Sequence, residues 1–518
     1  MATLPPHTPV IVGVGFRQEK NDDPTQCAEA YQLMVDAARA AADDAGSRAL
    51  LGQIQSISVT QGLWLYPNPG RLIGEALGCP QARSIVAGLG VLQLMPLHDL
   101  CRAIAAGDQE VGLVAGGEAK YRALRSTITQ TPIADTEQDE HTPPPDVRHT
   151  SPDPVCSDLE GARGLQSPIA LFAVMESALR HQEGLSVEAH RDALARLYRG
   201  FSEVAASNPH AWSRAAVHAG DIRDASATNA MQAFPYTARH CSQWNVNRAV
   251  AILVCSAGKA EQLGLPSAKW VFPVAAVESK HVVVLAQQRR LHSHPGTVMA
   301  GERVLELAGA SRKDIAAAEL YSCFPAAVRS FALDLRLEKE CPLTVTGGMP
   351  FGGGPFNHAS LDGVARMVEV LRSDGLDTAP GRQLGLVCNL SGIFGKQACV
   401  LLSNRPNPRG YGYEDITAAV AERDVPVPLD GDYVGPATIA GYTVVFQRGQ
   451  VSHGVAICDT PAGERTVARS DDQALLGEMM RREFCGRVVE VSKDGTFSFG
   501  RIRTHGPLNT LPIGGRYR

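Results

Sequence analysis

The chain alternates short apolar runs with longer segments whose apolar residues recur at helical spacing. Residues 9–16, PVIVGVGF, are almost wholly apolar and predict a buried strand. Residues 27–45 are alanine-rich, with Leu33, Val35, Ala37 and Ala38 inside, and Gly46 stops them, so they predict a helix. A second strand is expected over 54–59 and a short helix over 72–77, beyond the aromatic loop 64–69. Residues 87–117 then read as a glycine-bearing turn, a helix apolar enough to be buried all round, Gly107, and a strand over 111–115.

The order returns in the second half. Residues 298–308 predict a helix closed by Gly309, and 316–321 a strand. Five glycines at 347, 348, 352, 353 and 354 form a turn that leads into an amphipathic helix ending near Arg372, and 384–388 predict the next strand. Glycine turn, apolar helix, strand and glycine thus occur twice. This predicts a duplicated α/β unit with helices crossing between parallel strands. A site is expected where the two turns face each other.

Two stretches stand outside the repeat. Residues 120–168 are polar and proline-rich, a long surface excursion that reads equally as a substrate lid or a linker. The whole insertion, 120–240, includes helical spacing over 169–206. Beyond 405, short β-rich segments between 438 and 503, with a helix near 472–482, predict a small β domain whose pattern suggests an OB-type barrel. The division expected is 1–265, 266–405 and 410–518.

Composition narrows the function. The 518 residues are enough for two or three domains, with 44% hydrophobic and 20% charged residues. The net charge of −5 and the lack of a basic block set nucleic acid aside. No run approaches a membrane span and the N-terminus does not read as a signal peptide, so a cytoplasmic protein is expected. The twelve cysteines contain no CxxC pair, so no metal site is expected. Asn357 is placed to cap the 359–372 helix, and the amides of Gly352 and Gly353 to receive a polarised oxygen.

The repeat, with AIAAGDQEVGLVAGGEA (103–119), LYSCFPAAV (320–328), GGMPFGGGP (347–355) and GLVCNLSGIFG (385–395), resembles the thiolase superfamily over about residues 8–405. It looks closest to thiolase-like proteins related to sterol-carrier-protein-type thiolases, often labelled acetyl-CoA acetyltransferases. The resemblance implies an α/β/α/β/α layered fold, CoA or acyl-CoA as ligand with no separate cofactor, and a place in lipid metabolism. It also implies a cysteine nucleophile at the head of the first central helix, a GHP histidine and a second cysteine in a CxG turn. Those positions fall on Gly90, on Gly354, and on Asn389 or its neighbour Cys388. Without a thiolate there is no acyl-enzyme, so ordinary thiolase chemistry is not expected.

Other groups remain in the matched positions. Tyr321 and Ser322 replace the Asn-Glu start of the family's NEAF motif. Some thiolase relatives that act as aldolases use a tyrosine, so Tyr321 is either an acid or base for carbon–carbon cleavage or a hydrogen-bonded strand-end residue. His358 is either a substitute base or a solvent-facing residue of the first helical turn, and Cys388 either faces the site or is core. Three readings follow: a CoA-binding protein without thiolase turnover, an acyltransferase or lyase using Tyr321, His358 or Cys388, and a scaffold whose protein partner docks through 410–518.

Overall fold

The computed structural model describes residues 4–373 and 383–499. Three sheets carry the fold. In the first, strands run in the order Pro9–Gln18, Asn247–Ser256, Val111–Ala119, Ser56–Thr60, Arg83–Ala87 and Val147–His149. In the second the order is Gly412–Asp415, Phe272–Ser279, Lys396–Ser403, Leu384–Ser391 and Ile315–Glu319. Four strands correspond one to one: Phe272–Ser279 takes the place of Pro9–Gln18, and Ile315–Glu319 that of Ser56–Thr60. The duplication expected from the repeated pattern is therefore present in the strand order.

The two central helices, Met95–Ala106 and Ala359–Arg372, each touch both sheets. Leu97, Leu100 and Ile104 of one, and Leu361, Val364 and Met367 of the other, share one core cluster with inward residues of both sheets, such as Val114, Ile252, Val387 and Val400. Helices Ala30–Ala45 and Pro295–Ala308 cover the outer faces. The layering is α/β/α/β/α. Each central helix nevertheless keeps a polar edge, Asp99 and Arg102 on the first and Arg366 and Glu369 on the second, so the first is not buried all round, against the expectation from its sequence.

The excursion is more structured than its composition indicates. It carries the helices Lys120–Thr129, Pro168–Glu183 and Val187–Ser207. Its Val147–His149 strand pairs in parallel with Arg83–Ala87 and closes that edge of the first sheet.

The third sheet is built from Gly435–Gln447, Gln450–Asp459, Arg465–Ser470, Val488–Val491 and Phe497–Ser498, joined by the short excursion strands Met231–Ala233 and Tyr236–Thr237. The first three form an antiparallel meander, the fourth returns beside the first, and a bridge between Arg469 and Thr496 brings the last strand back to the third. Helix Gln473–Met479 lies between the third and fourth strands. The domain is stitched to the body. The Tyr442 amide donates to Ser177 Oγ at 2.8 Å, and buried Arg180 pairs with Glu483 at 2.8 Å and donates to Tyr442 Oη at 2.7 Å. Arg465, also buried, donates to the carbonyls of Ala286, Gln288 and Arg289. Among the described residues no helix is long and apolar enough to cross a membrane.

Candidate functional site

The heads of the two central helices meet in the middle of the molecule, and each half supplies a partner to the other. The Gln93 amide, two residues before the first helix, donates to Asn389 Oδ1 at 2.8 Å. The Gln93 side chain accepts from the Ser360 amide at 2.8 Å, in the first turn of the second helix. Its Nε2 points to Tyr321 Oη at 3.4 Å. Gln93 is buried. It does the capping that the sequence assigns to Asn357: the N-cap is His358, one residue later, with no side-chain cap bond of its own. Helix amides without an internal partner require such an acceptor when buried.

At the first head, Gly90 has φ +83°, a left-handed conformation in which a side chain is strained. A Cβ there would lie 3.2 Å from both Cβ and Oγ of Ser151. The Gly90 carbonyl accepts from Ser391 Oγ at 2.8 Å and Lys396 Nζ at 3.1 Å. Lys396, buried, also holds Ser151 and, at 2.6 Å, Asp153. The excursion is thereby tied down over the position where the resemblance places a nucleophile.

The glycine turn is occupied in the same manner. A Cβ on Gly354 would fall 1.9 Å from Ser242 Oγ, so Ser242 fills the space of the expected histidine. The Gly352 amide donates to Gly348 O and the Gly354 amide to Gln243 O, while Gly352 O accepts from Trp212 N and from Arg248. Ser322 Oγ accepts from Met349 N at 3.0 Å and so holds the turn. Gly352 thus spends its amide inside the protein, against the expectation that it would receive a ligand oxygen. Glu319 braces the same loop: its carboxylate accepts from the Val345 and Thr346 amides and from the hydroxyls of Thr344 and Thr346.

The second head is different. Arg248 and Asp362, both buried, face each other with Nε and Oδ2 3.1 Å apart. The alignment is not that of a hydrogen bond, and neither oxygen of Asp362 has a hydrogen-bond partner. Ser360 Oγ and His358 Nε2 are likewise buried and unpartnered. Burial pushes the Asp362 carboxyl up to about 6, against the pull of Arg248. Burial, then the Arg248 charge, pushes His358 well below the ordinary imidazole range. Arg248, Asp362 and Ser360, with Tyr321, Ser322, Cys388 and Glu319, line a cavity of about 10 Å³, room for one water molecule; His358 does not line it.

The sequence-predicted residues thus fall into three sets. Tyr321, Ser322, Gly352, Gly353 and Cys388 line the cavity. Tyr321 is half-buried and burial raises its phenol above the usual range, so it is a proton donor and not a ready base. Cys388 sits opposite Cys399 on the neighbouring strand, their sulfurs 3.7 Å apart, and burial raises its thiol too, so it is no thiolate. His358 is buried and packs beside Gly116 of the first sheet, which removes the solvent-facing reading. Asn357 is buried as well. The sequence reading missed Gln93, Arg248, Glu319 and Asp362. Three of these carried a signal, being charges set within apolar runs (NRAVAILV, IAAAE, ASLDGVARM), and a charge buried in such a run requires a partner.

Comparison with known proteins gives the arrangement a context. Residues 415–496 match the family model described as the thiolase-like protein type 1 additional C-terminal domain. A monomeric SCP2-thiolase-like protein type 1 from Mycobacterium smegmatis is 26% identical, with a TM-score of 0.79 over 96% of this chain and 100% of that one. An Ltp2–ChsH2(DUF35) aldolase is 17% identical, with a TM-score of 0.57 over 77% of this chain and 99% of that one. The Acat5 thiolase from Ascaris suum, solved with coenzyme A, is 15% identical, with a TM-score of 0.53 over 76% and 99%. The last two likenesses are of fold. No curated protein sequence matches the chain. The body is a thiolase fold, and the main strands of the third sheet, from Gly435 to Val491, lie within the matched additional domain.

Proposed function

We propose that this protein binds a CoA thioester and forms no acyl-enzyme. The observation that carries the reading is Gly90: a left-handed, exposed glycine with Ser151 and Lys396 beside it, where acyl transfer would need a thiolate and the chain supplies no side chain. The Gly354 position supports it, since Ser242 already fills the room a histidine would need. The cavity between the helix heads has space for a water and not for an acyl group, so a bound thioester would keep its acyl end outside the centre. The ligand class comes from the thiolase fold, of which the Ascaris suum relative was solved with coenzyme A.

A second reading has one observation of its own. Tyr321 presents a neutral phenol to the cavity that Asp362 also lines, a carboxylate paired with Arg248 but accepting no hydrogen bond. The phenol and the carboxylate together are suited to a proton-transfer step in carbon–carbon cleavage, and the aldolase neighbour shares the fold. A scaffold role through 410–518 finds less support, because buried Arg180 and Arg465 commit two faces of that domain to the body.

Calorimetric titration with CoA and acetyl-CoA, with acetoacetyl-CoA thiolysis measured on the same sample, tests the proposal. Binding without turnover is expected. Turnover removes the reading. Turnover of a lyase substrate that is lost in Tyr321→Phe would install the second one.

A further inference from the structure

The hairpin that holds the first helix head has two thiols at its base. Cys388 on Leu384–Ser391 and Cys399 on Lys396–Ser403 face each other directly across the antiparallel pair. Their sulfurs are 3.7 Å apart, in van der Waals contact, and both side chains are buried. Strand residues opposed in this way hold their Cα atoms about 4.5–5.5 Å apart, inside the range a disulfide spans, so a bond between them needs no movement of the backbone. Both are free cysteines.

Neither thiol serves the proposed function, yet the pair is tied to the site on two sides. Cys388 lines the central cavity, which has room for one water molecule. From the same hairpin, Asn389 accepts from the Gln93 amide, and Ser391 and Lys396 both donate to the Gly90 carbonyl. The bonds that fix the first helix head thus come from residues that lie between the two cysteines.

We infer that Cys388 and Cys399 are a redox-sensitive pair, which a small peroxide closes to a disulfide that staples the hairpin behind the first head. One sulfur, as its thiolate, attacks a peroxide oxygen. The O–O bond breaks, the sulfur becomes a sulfenic acid, and the departing hydroxide takes up the proton the thiol lost. The second sulfur then attacks the first. The S–O bond breaks, and the oxygen leaves as water with the second thiol's proton. Two thiols give up two electrons and two protons, and one peroxide becomes two waters. Cys388 reacts first, because it borders the cavity, and a bulky disulfide oxidant has no room there. Burial holds the Cys388 thiol protonated, so the first step is slow and the pair stays reduced without peroxide. The second step is fast by comparison, since the partner sulfur is already in contact. The inference does not depend on CoA binding.

The experiment incubates the full-length protein with hydrogen peroxide, stops with catalase, and unfolds it in N-ethylmaleimide for peptide mapping by mass spectrometry. A second portion is reduced with dithiothreitol before labelling. The expected result is that Cys388 and Cys399 are linked, short of two hydrogens and unlabelled, and that dithiothreitol converts them to the doubly labelled form. Hydrogen exchange over residues 389–398 should slow about tenfold or more in the oxidised protein, within what cross-linking a short loop supplies. The same treatment of Cys399→Ser, which cannot close the bond, should leave exchange unchanged. Full labelling of both cysteines, added oxygen on Cys388 without a cross-link, or a bond from either to a different cysteine overturns the inference. A Cys388–Cys399 bond that leaves exchange unchanged overturns the stapling role.

Discussion

The heads of the two central helices occupy equivalent places in a duplicated fold, yet they are finished in opposite ways. At the first, the backbone is held: the Gly90 carbonyl has two donors, the Gln93 amide has Asn389, and Ser151 lies beside the exposed glycine. At the second, Asp362, Ser360 and His358 keep buried polar atoms that make no hydrogen bond, and the first two of them line a small cavity. The first head is the one where the resemblance to thiolases places a nucleophile. Buried polar atoms without hydrogen bonds line the other head. A fold can therefore keep its architecture while its polar groups are satisfied at one point and left without hydrogen bonds at another, which is why the reading of function rests on the site and not on the fold.

The sharpest way to break this contrast is to remove the charge that makes the second head tolerable. Arg248→Ala leaves Asp362 buried and alone and should lower unfolding free energy by about 3–5 kcal/mol in urea denaturation, whereas the paired Arg248→Met, Asp362→Leu variant should recover most of that loss. If the single variant is as stable as the parent, Arg248 is not what holds the carboxylate.

Next in size is pH. Asp362 has its folded-state pKa raised to about 6, above its unfolded value. Its contribution to stability is thus full below about pH 4 and lost as pH rises through about 6. Relative to the parent, Asp362→Asn should therefore gain about 2–3 kcal/mol on going from pH 4 to pH 7, an upper figure set by 1.36 kcal/mol per pKa unit. Asp334 shifts in the same direction, while Glu176 and Glu278 are lowered to about 2 and lose their contribution only as pH falls toward that value. The difference between variant and parent isolates Asp362; parallel pH curves would remove it from the account.

The first head is tested by Gly90→Cys. Restoring a cysteine should not restore thiolysis, because the backbone is left-handed and Ser151 is in the way, and it should cost about 1–3 kcal/mol of stability, read as a lowered Tm. Thiolysis gained by that one substitution would mean that this geometry is incidental. Smallest is Gln93→Ala, which removes the cap on the Ser360 amide and should cost about 1–2 kcal/mol. Hydrogen exchange should show the loss at the first turn of Ala359–Arg372.

Much of the architecture was legible because it is periodic. The repeat of turn, apolar helix and strand needs only local spacing, and the strand order agrees with it. The site was harder to read because its bonds cross between halves. Gln93 and Asn389 lie 296 residues apart, and nothing in either stretch indicates the other. That pairing also explains the one-residue error at the second helix, since a cap supplied from a distant loop leaves no local Asn signature. Val147–His149 was missed because three residues in a polar, proline-rich stretch are too few to show alternation. Arg248, Glu319 and Asp362 were visible as charges set in apolar runs, a signal that points to a partner without saying which.

The central claim is that no acyl-enzyme forms. Intact-mass spectrometry of the full-length protein, quenched after incubation with acetyl-CoA, tests it on all twelve cysteines at once. The account predicts the unmodified mass at every time point. A thioester-linked acetyl adduct that appears rapidly and is discharged by free CoA would contradict it.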